Sequence, residues 1–573
     1  MELRDSRRVP GPNLHWERSS AVLDVSIADD ELERFHAVYP RELARMLAAL
    51  GLQSSELKVR RFVGGASLAT SASIDSLYTA TEVNEWAFRA TQAVLAGEPE
   101  PPLAPEASKL AAALARERNQ RPRLLELAAE AARRGVAFVA DDRVTSIGMG
   151  GGSRSFPTNA IPALGSIDWA RVHDVPCVMV TGTNGKSTTV RLLGAIATAG
   201  DKTPGVSSTD WVHVGDVELD RGDYSGPAGA RLVLRDERVE AAILETARGG
   251  MLRRGLVLRR VDAAALLNVA EDHLGEWGVD DVATMVEAKW VISRAVEKTG
   301  PLVLNADDPL IVARAASYRG KVIWFTLDPA NELVERHIAS GGAAAIFRAP
   351  DLLLFKGGKA ERITSVDAIP IALGGAARHN VANALAAIVL ADRMGFGPEA
   401  IEKGLASFRG DALQNPGRLN VFDFGGARVL LDFAHNPHGY AAFFDMVERM
   451  PAERRAVLLG QAGDRTDSSI RELVRIACKR VPELVVVKEM PAYLRGRRPG
   501  EVPALIRDEL AKLGIDPRTI QDAPSELDAM KQALAWSRPG DLLFFLCHSE
   551  RTAALELLQG LAERAWKPGE SVE

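Results

Sequence analysis

The run Val178-Met179-Val180-Thr181-Gly182-Thr183-Asn184-Gly185-Lys186-Ser187-Thr188 decides how this chain is read. A short apolar strand ends at Val180, a glycine-containing turn follows, and a helix begins near Ser187 and continues to Gly200. That order builds a phosphate cradle. Gly182 and Gly185 let the N–H groups of Thr183, Asn184 and their neighbours close around phosphate oxygens, and the helix N-terminus through Thr188 adds positive potential. Lys186 is placed to reach the β- and γ-phosphates, and the Ser187 hydroxyl to ligate Mg²⁺. The general motif has glycine five places before Gly185, where this chain has Val180. The loop is a variant, and it predicts an ATP-using enzyme.

Working outward, the loop opens a series of strands and helices. Residues 178–180, 241–244, 263–267 and 302–304 are continuous apolar runs, each followed by polar, chemically able residues. Such runs mark a parallel sheet with functional loops at the strand C-termini. A second series follows residue 417, with strands expected at 429–431, 456–459, 484–487 and 542–546. Ahead of the loop, residues 32–50 and 80–95 carry apolar residues at helical spacing, and residues 107–134 read as two helices. The Pro-rich segment 97–105 reads as a linker. The expected fold class is therefore α/β: a P-loop-type parallel-sheet central domain at 165–410, a Rossmann-like C-terminal domain at 411–573, and an additional α+β domain at 1–160.

Bulk properties narrow the partners. The 573 residues suit about three to five domains, at roughly 100–200 residues each. A formal net charge of −6 argues against nucleic acid and against an anionic membrane surface. There is no apolar run of about 20 residues to cross a membrane, and the N-terminus has no apolar signal core. The expected location is the cytoplasm. Cys177, Cys478 and Cys547 have no paired spacing, which excludes a disulfide framework or a cysteine zinc site.

A metal–triphosphate needs oxygen ligands opposite the loop. Glu245 ends the second strand and is placed to coordinate the ion, against the plainer reading of a solvated strand-end carboxylate. His273 follows Asn268 and Asp272 after the third strand, beside the phosphate loop, and reads as functional rather than structural. Ser207, Ser208 and Thr209 offer further hydroxyls.

The ordered set Gly182–Ser187, Glu245, Asn268 with Asp272-His273, Lys289, Asn305-Ala306-Asp307-Asp308, His379-Asn380 and Asp432-Phe433-Ala434-His435-Asn436-Pro437 resembles the Mur ligases, over residues 165–573. Within that group, five stretches resemble the Mur-ligase half of the cyanophycin synthetases. They are residues 245–256, Asp223–Pro227, Asn415–Arg418, Gly463–Asp467 and Leu494–Gly500. The residues ahead of Pro176 are fewer than that family's N-terminal domain plus an ATP-grasp module require. The expectation is a stand-alone ligase that decorates or caps an acidic acceptor.

The resemblance implies ATP and Mg²⁺ as cofactors and an acyl-phosphate intermediate that an amine resolves into an amide. The partners it implies are an amino acid and an acidic peptide-like acceptor, with the protein as a homo-oligomer. Lys186, Glu245, His273 and Lys289 become the catalytic set, with Ser187, Glu245, His273 and Lys289 around metal. Lys289 is the position carbamylated in many relatives; the plainer reading is a helix lysine on a wet face. Asn380 is assigned to adenine, Asp432 to ribose, and Arg418 and His435 to the nucleotide, while simple helix capping remains open for Asn380. Arg248 and Arg253 are the preferred acceptor ligands. Arg495 is a further candidate, against a solvated loop formed with Arg497 and Arg498. The competing functions are a ligase of specialised-metabolite or polyglutamate type and a catalytically silent binding relative.

Overall fold

The computed structural model describes residues 1–272, 274–296 and 300–572. Two compact units make up the chain. One comprises Met1–Ile346, Leu353–Ile363 and Leu385–Gly404; the other comprises Phe347–Leu352, Thr364–Ala384 and Leu405–Glu573.

The first unit is organised by a large sheet with seven parallel strands side by side. In spatial order they are Pro204–Ser207, Ala241–Glu245, Cys177–Thr181, Ala263–Leu266, Pro301–Asn305, Lys321–Thr326 and Ala344–Arg348. Strands Trp211–Val214 and Val217–Arg221 extend one edge in antiparallel fashion. The central strands read as unbroken apolar runs because both of their faces are buried: Cys177–Thr181, Ala241–Glu245 and Ala263–Leu266 have no exposed position. Helix Lys186–Ala199 leaves the C-terminal end of the middle strand and packs back across its neighbours. A crossover of this kind places the loop at the sheet's C-terminal edge, where ligands of open α/β sheets are bound.

Ahead of that sheet lies a four-stranded antiparallel one, in the order Glu2–Val9, Ser20–Ser26, Gly65–Ser71, Leu57–Phe62. Helices Asp29–Ala49 and Leu77–Ala96 join it around a core that includes Phe35, Tyr39, Leu43 and Trp86. The segment expected to be a linker is partly helical, since helix Leu103–Asn119 starts inside it. Pro105 falls in the first turn, where the N–H it lacks has no intrahelical acceptor anyway. Helix Leu124–Arg134 then leads to a small antiparallel sheet, Phe138–Ala140, Val144–Ile147 and Arg154–Pro157.

The N-terminal strand is fastened to the large sheet's connections. Arg7 Nε donates to the Leu252 carbonyl at 3.1 Å, and the Leu256 N–H donates to the Pro12 carbonyl at 2.7 Å. Backbones touch here: a Cβ on Gly11 would lie 1.8 Å from the Leu256 oxygen, so only glycine fits. Farther along, Arg60 donates to the carbonyls of Gly278 and Trp277 at 2.6 and 2.8 Å.

The second unit holds a six-stranded sheet, ordered Asn420–Phe424, Ala427–Asp432, Leu542–Leu546, Arg455–Leu459, Leu484–Lys488, Ile520–Ala523. Only the first pair is antiparallel. Separate apolar clusters cover its two faces, one around Tyr440, Phe443 and Phe444, the other around Met530, Leu558 and Trp566. This is the doubly wound arrangement expected of a Rossmann-like unit.

Candidate active site

The loop after Cys177–Thr181 is held by the neighbouring strand. Asn268 lies just beyond strand Ala263–Leu266; its side-chain oxygen accepts from the Asn184 N–H at 2.8 Å and its amide donates to the Asn184 carbonyl at 3.1 Å. The Thr183 N–H donates to the Asn268 carbonyl at 2.9 Å, and the Thr183 hydroxyl accepts from the Ala270 N–H at 2.9 Å. Gly185 caps the helix with φ of 87°, a left-handed conformation that favours glycine. Gly182 has its own reason: a Cβ there would sit 3.0 Å from Leu267 Cβ. Ser187 and Thr188 follow in the first helical turn, both buried.

Two lysines converge on this loop. Lys186 folds back, its Nζ donating to the carbonyls of Gly182 and Thr183 at 3.1 and 3.0 Å. Lys289, near the end of helix Val282–Trp290, donates to the same Gly182 carbonyl at 3.1 Å. Lys289 is only 4% exposed, which counts against a wet-face lysine. Burial, reinforced by the positive charges of Lys186 and Arg248, holds its pKa well below the ordinary lysine value, and Asp272 only partly opposes this.

Glu245 ends the strand beside the loop and is 1% exposed. Its two oxygens accept from the N–H and the hydroxyl of Thr209 at 3.1 and 2.7 Å. The buried hydroxyls of Thr181 and Ser207, at the ends of the strands on either side, have no hydrogen-bond partner among the described residues. Loop hydroxyl, strand-end carboxylate and spare hydroxyls make a hard-oxygen donor set of the kind that suits Mg²⁺. His273 lies outside the described residues.

Arg248 begins the short helix Arg248–Arg254. It is buried, donates to Glu276 Oε2 at 2.6 Å, and lies 5.8 Å from the Trp277 ring centroid. Arg253, on the same helix, is exposed and lies 5.9 Å from that ring. Gly182 through Thr188, Glu245, Lys289, Arg248 and Arg253 thus all belong to the first unit.

Two groups named in the sequence motif set without a role are given one by the fold. Asn268 is the clamp described above. Asp308 accepts from the Val269 N–H at 2.7 Å while capping helix Pro309–Ala315 through the N–H groups of Leu310 and Ile311, and Asn305 donates to the Leu267 carbonyl at 2.9 Å. The 305–308 motif therefore grips the backbone on both sides of Asn268. Their place in the ordered motif set was the signal in the sequence.

The remaining candidates lie in the second unit. Asn380 is buried; its amide donates to the Ile371 carbonyl at 3.0 Å, and its oxygen accepts from Asn383 at 3.2 Å. Asp432 accepts the N–H groups of Leu419 and Ala434, both at 2.7 Å. Burial raises its pKa from the ordinary value, and Arg418 opposes that rise. Arg418 stacks its guanidinium 4.6 Å from the Phe433 ring centroid, and His435 Nδ1 is 3.1 Å from the Phe433 carbonyl. Arg495 is exposed, pairs with Asp464 at 2.5 Å and lies 4.7 Å from the Tyr493 ring.

Arg497 ties two motifs together, donating to the carbonyls of Gly463 and Arg465 and to Asp467 at 2.7–2.8 Å. The Gly463 N–H donates to the Tyr493 carbonyl at 2.8 Å, and a Cβ on Gly463 would lie 1.9 Å from the Leu494 oxygen. At the same strand ends Lys488 and Glu526 form a fully buried pair at 2.5 Å. Glu526 also accepts from the N–H groups of His548, Ser549 and Glu550.

Two family models match this chain: the Mur ligase middle domain over residues 180–391, and the Mur ligase, glutamate ligase domain over residues 417–547. Cyanophycin synthetase of Synechocystis sp. is 42% identical over 332 residues, which is 58% of this chain and 38% of that protein. Cyanophycin synthetase of Trichormus variabilis is 37% identical over 390 residues, 68% of this chain and 43% of that protein. The chain thus spans about two fifths of the length of these relatives. Among solved structures, E. coli FolC in complex with ADP, without folate substrate, is similar at 19% identity with a TM-score of 0.49, covering 68% of this chain and 90% of that one.

Proposed function

Because the chain belongs to the Mur ligase family, we propose that it is an ATP-dependent carboxylate–amine ligase. It joins an amino acid to an acidic peptide-like acceptor, as a cyanophycin-synthetase-like enzyme would. One observation carries this reading: Lys186 and Lys289 meet on the Gly182 carbonyl of a phosphate loop whose neighbouring strand ends in the buried Glu245.

In this reading the acceptor carboxylate takes the γ-phosphoryl group and releases ADP. An amine then attacks the acyl phosphate, and phosphate leaves as the amide forms and a proton is lost. The loop N–H groups and Lys186 hold and neutralise the phosphates, which is most of what phosphoryl transfer asks of a protein. Lys186 must leave the carbonyls of Gly182 and Thr183 to do so. Ser187 and Glu245 would hold Mg²⁺, which when bound would supply neutralisation of the phosphate charge. His273 joins that set by resemblance. Lys289 supplies a buried amine whose neutral form burial favours, the form that carbamylation requires.

Arg248 and Arg253 are the proposed acceptor ligands, supported by their place on the short helix that follows Glu245 and by arginine's bidentate match to carboxylate. Arg248 already holds Glu276, so an incoming acid has a carboxylate to displace. Asn380, Arg418, Asp432 and His435 are proposed for the nucleotide, and Arg495 for an acidic substrate. Among the described residues no helix is long and apolar enough to cross a membrane. A cytoplasmic homo-oligomer completes the reading; light scattering that found only monomer at working concentrations would remove that element.

The deciding experiment is ADP and phosphate release from the purified chain with Mg²⁺–ATP, across amino acids crossed with acidic peptides and polymers. Release that needs both an amine and an acceptor, with the amide product seen by mass spectrometry, is expected. Silence across the whole matrix would overturn the ligase reading.

A further inference from the structure

The first unit contains a second concavity, a cavity of about 750 Å³. That lies within the roughly 300–1,000 Å³ range of small-molecule sites. None of its lining residues belongs to the phosphate loop 182–188. Its walls come from helix Leu124–Arg134, strand Phe138–Ala140, helix Pro227–Arg235 and residues 254–260. Part of the lining is aliphatic, from Leu124, Ala128, Val136 and Leu258.

The lining is also charged, with more arginines than aspartates. Six arginines line the cavity against three aspartates, and those aspartates are already engaged. Asp142 is shared by Arg8 at 3.3 Å and Arg121 at 2.9 Å, and it also accepts from the Tyr78 hydroxyl. Asp141 serves Arg235 at 2.7 Å, Arg231 at 3.4 Å and two backbone N–H groups. Asp174 takes the Ala137 N–H and pairs with Arg260 at 3.5 Å. Arg254 has no carboxylate partner within salt-bridge distance among the described residues; it donates to the Arg8 carbonyl at 3.2 Å. Its charged neighbours are Arg8, Arg253, Asp142 and Asp5, and Arg231 in turn faces Asp141, Arg235, Arg254 and Asp142. A concentration of guanidinium charge this close is stabilised by a bound anion, and the fork of arginine fits the oxygens of carboxylate and phosphate alike.

The geometry points to a second ligand site. The cavity binds a small organic anion whose carboxylate or phosphate head meets Arg254 and Arg231, while its aliphatic body lies against Leu124, Ala128 and Val136. A cation is repelled by the arginines, and a wholly apolar ligand leaves their charge uncompensated. The site is independent of the ligase reading, because it shares no lining residue with the phosphate loop.

Calorimetric titration of the full chain with octanoate and, separately, with octyl phosphate tests the site. Saturable binding of at least one of them is expected, unchanged by saturating Mg²⁺–ADP. The stronger of the two identifies the head group. Arg254→Leu removes a cation from an exposed position, and Ala128→Met fills the aliphatic part of the lining without altering charge. Each should weaken binding at least tenfold while melting as the parent chain does. Absence of binding by both probes, loss of binding in the presence of Mg²⁺–ADP, or equal affinity in a variant that folds normally would each overturn the site. ADP release is read separately, so failure here leaves the ligase reading standing, and the reverse also holds.

Discussion

Lys186 and Lys289 donate to one and the same carbonyl oxygen, that of Gly182, each at 3.1 Å. Two amines on a single acceptor repel each other if both are charged, and the buried one gives way. That arrangement makes Lys289 sensitive to pH.

Since the folded protein holds Lys289 below the ordinary lysine value, the unfolded chain binds more protons in the window between the two values. Unfolding free energy therefore rises with pH across that window. Urea unfolding from neutral pH toward pH 10 should show this slope, and Lys289→Met should flatten it. An unchanged slope in the variant would remove the assignment.

Lys186→Ala should reduce nucleotide turnover by at least about a hundredfold, a loss comparable to that of other charge-stabilising donors. Its two hydrogen bonds are to loop carbonyls, so thermal unfolding should shift by no more than a few degrees. Parallel assays of ADP release and melting separate the two effects.

Asn268→Ala removes both hydrogen bonds to Asn184. A cost of about 1–3 kcal/mol is expected for polar partners left unmatched. Mg²⁺–ATP affinity should fall in step, because the loop loses its template. Nucleotide affinity equal to that of the parent chain would show that the clamp is dispensable.

Gly463→Ala brings a Cβ against the Leu494 carbonyl, and either the 463–467 loop or the 494–500 loop must move. A loss of more than about 2 kcal/mol is expected from backbone overpacking. Chemical denaturation measures it, and an effect below half that figure would mean the loops adapt freely.

Lys488→Met leaves Glu526 as a buried carboxylate without its cation, at a cost of about 3–5 kcal/mol. In the parent chain, burial works to raise the Glu526 pKa, but Lys488 and the bonded N–H groups win and hold it well below the ordinary value. Its stabilisation is thus complete above the unfolded pKa and is lost as pH falls toward the folded one. Acid unfolding midpoints should move upward in pH in the variant.

Much of the architecture was legible where it depends on neighbours in sequence. The continuous apolar runs 178–180, 241–244 and 263–267 lie in the central strands Cys177–Thr181, Ala241–Glu245 and Ala263–Leu266, the last overrunning its strand by one residue, and the glycine turn lies where strand and helix require it. Partnerships that depend on strand order were not legible. Asn268 meets Asn184, and Asp308 meets Val269, only because Ala263–Leu266 lies between Cys177–Thr181 and Pro301–Asn305. Arg495 was visible as charge, but its partner Asp464 lies on another loop. The motifs at 463–467 and 494–500 were noticed separately, and only folding shows that Arg497 binds one to the other. In residues 97–105 prolines were read as a linker although one of them opens a helix.

The bond from Arg7 to Leu252 and the backbone contact of Gly11 with Leu256 reach beyond packing. Arg248 rides on a seven-residue arm whose opposite end is bolted to the first strand of the polypeptide. Shortening the chain by its first dozen residues would thus cut the arm's mooring. If Arg248 holds the acceptor as proposed, a core shortened that way would differ from its parent in acceptor affinity while its phosphate loop stayed untouched.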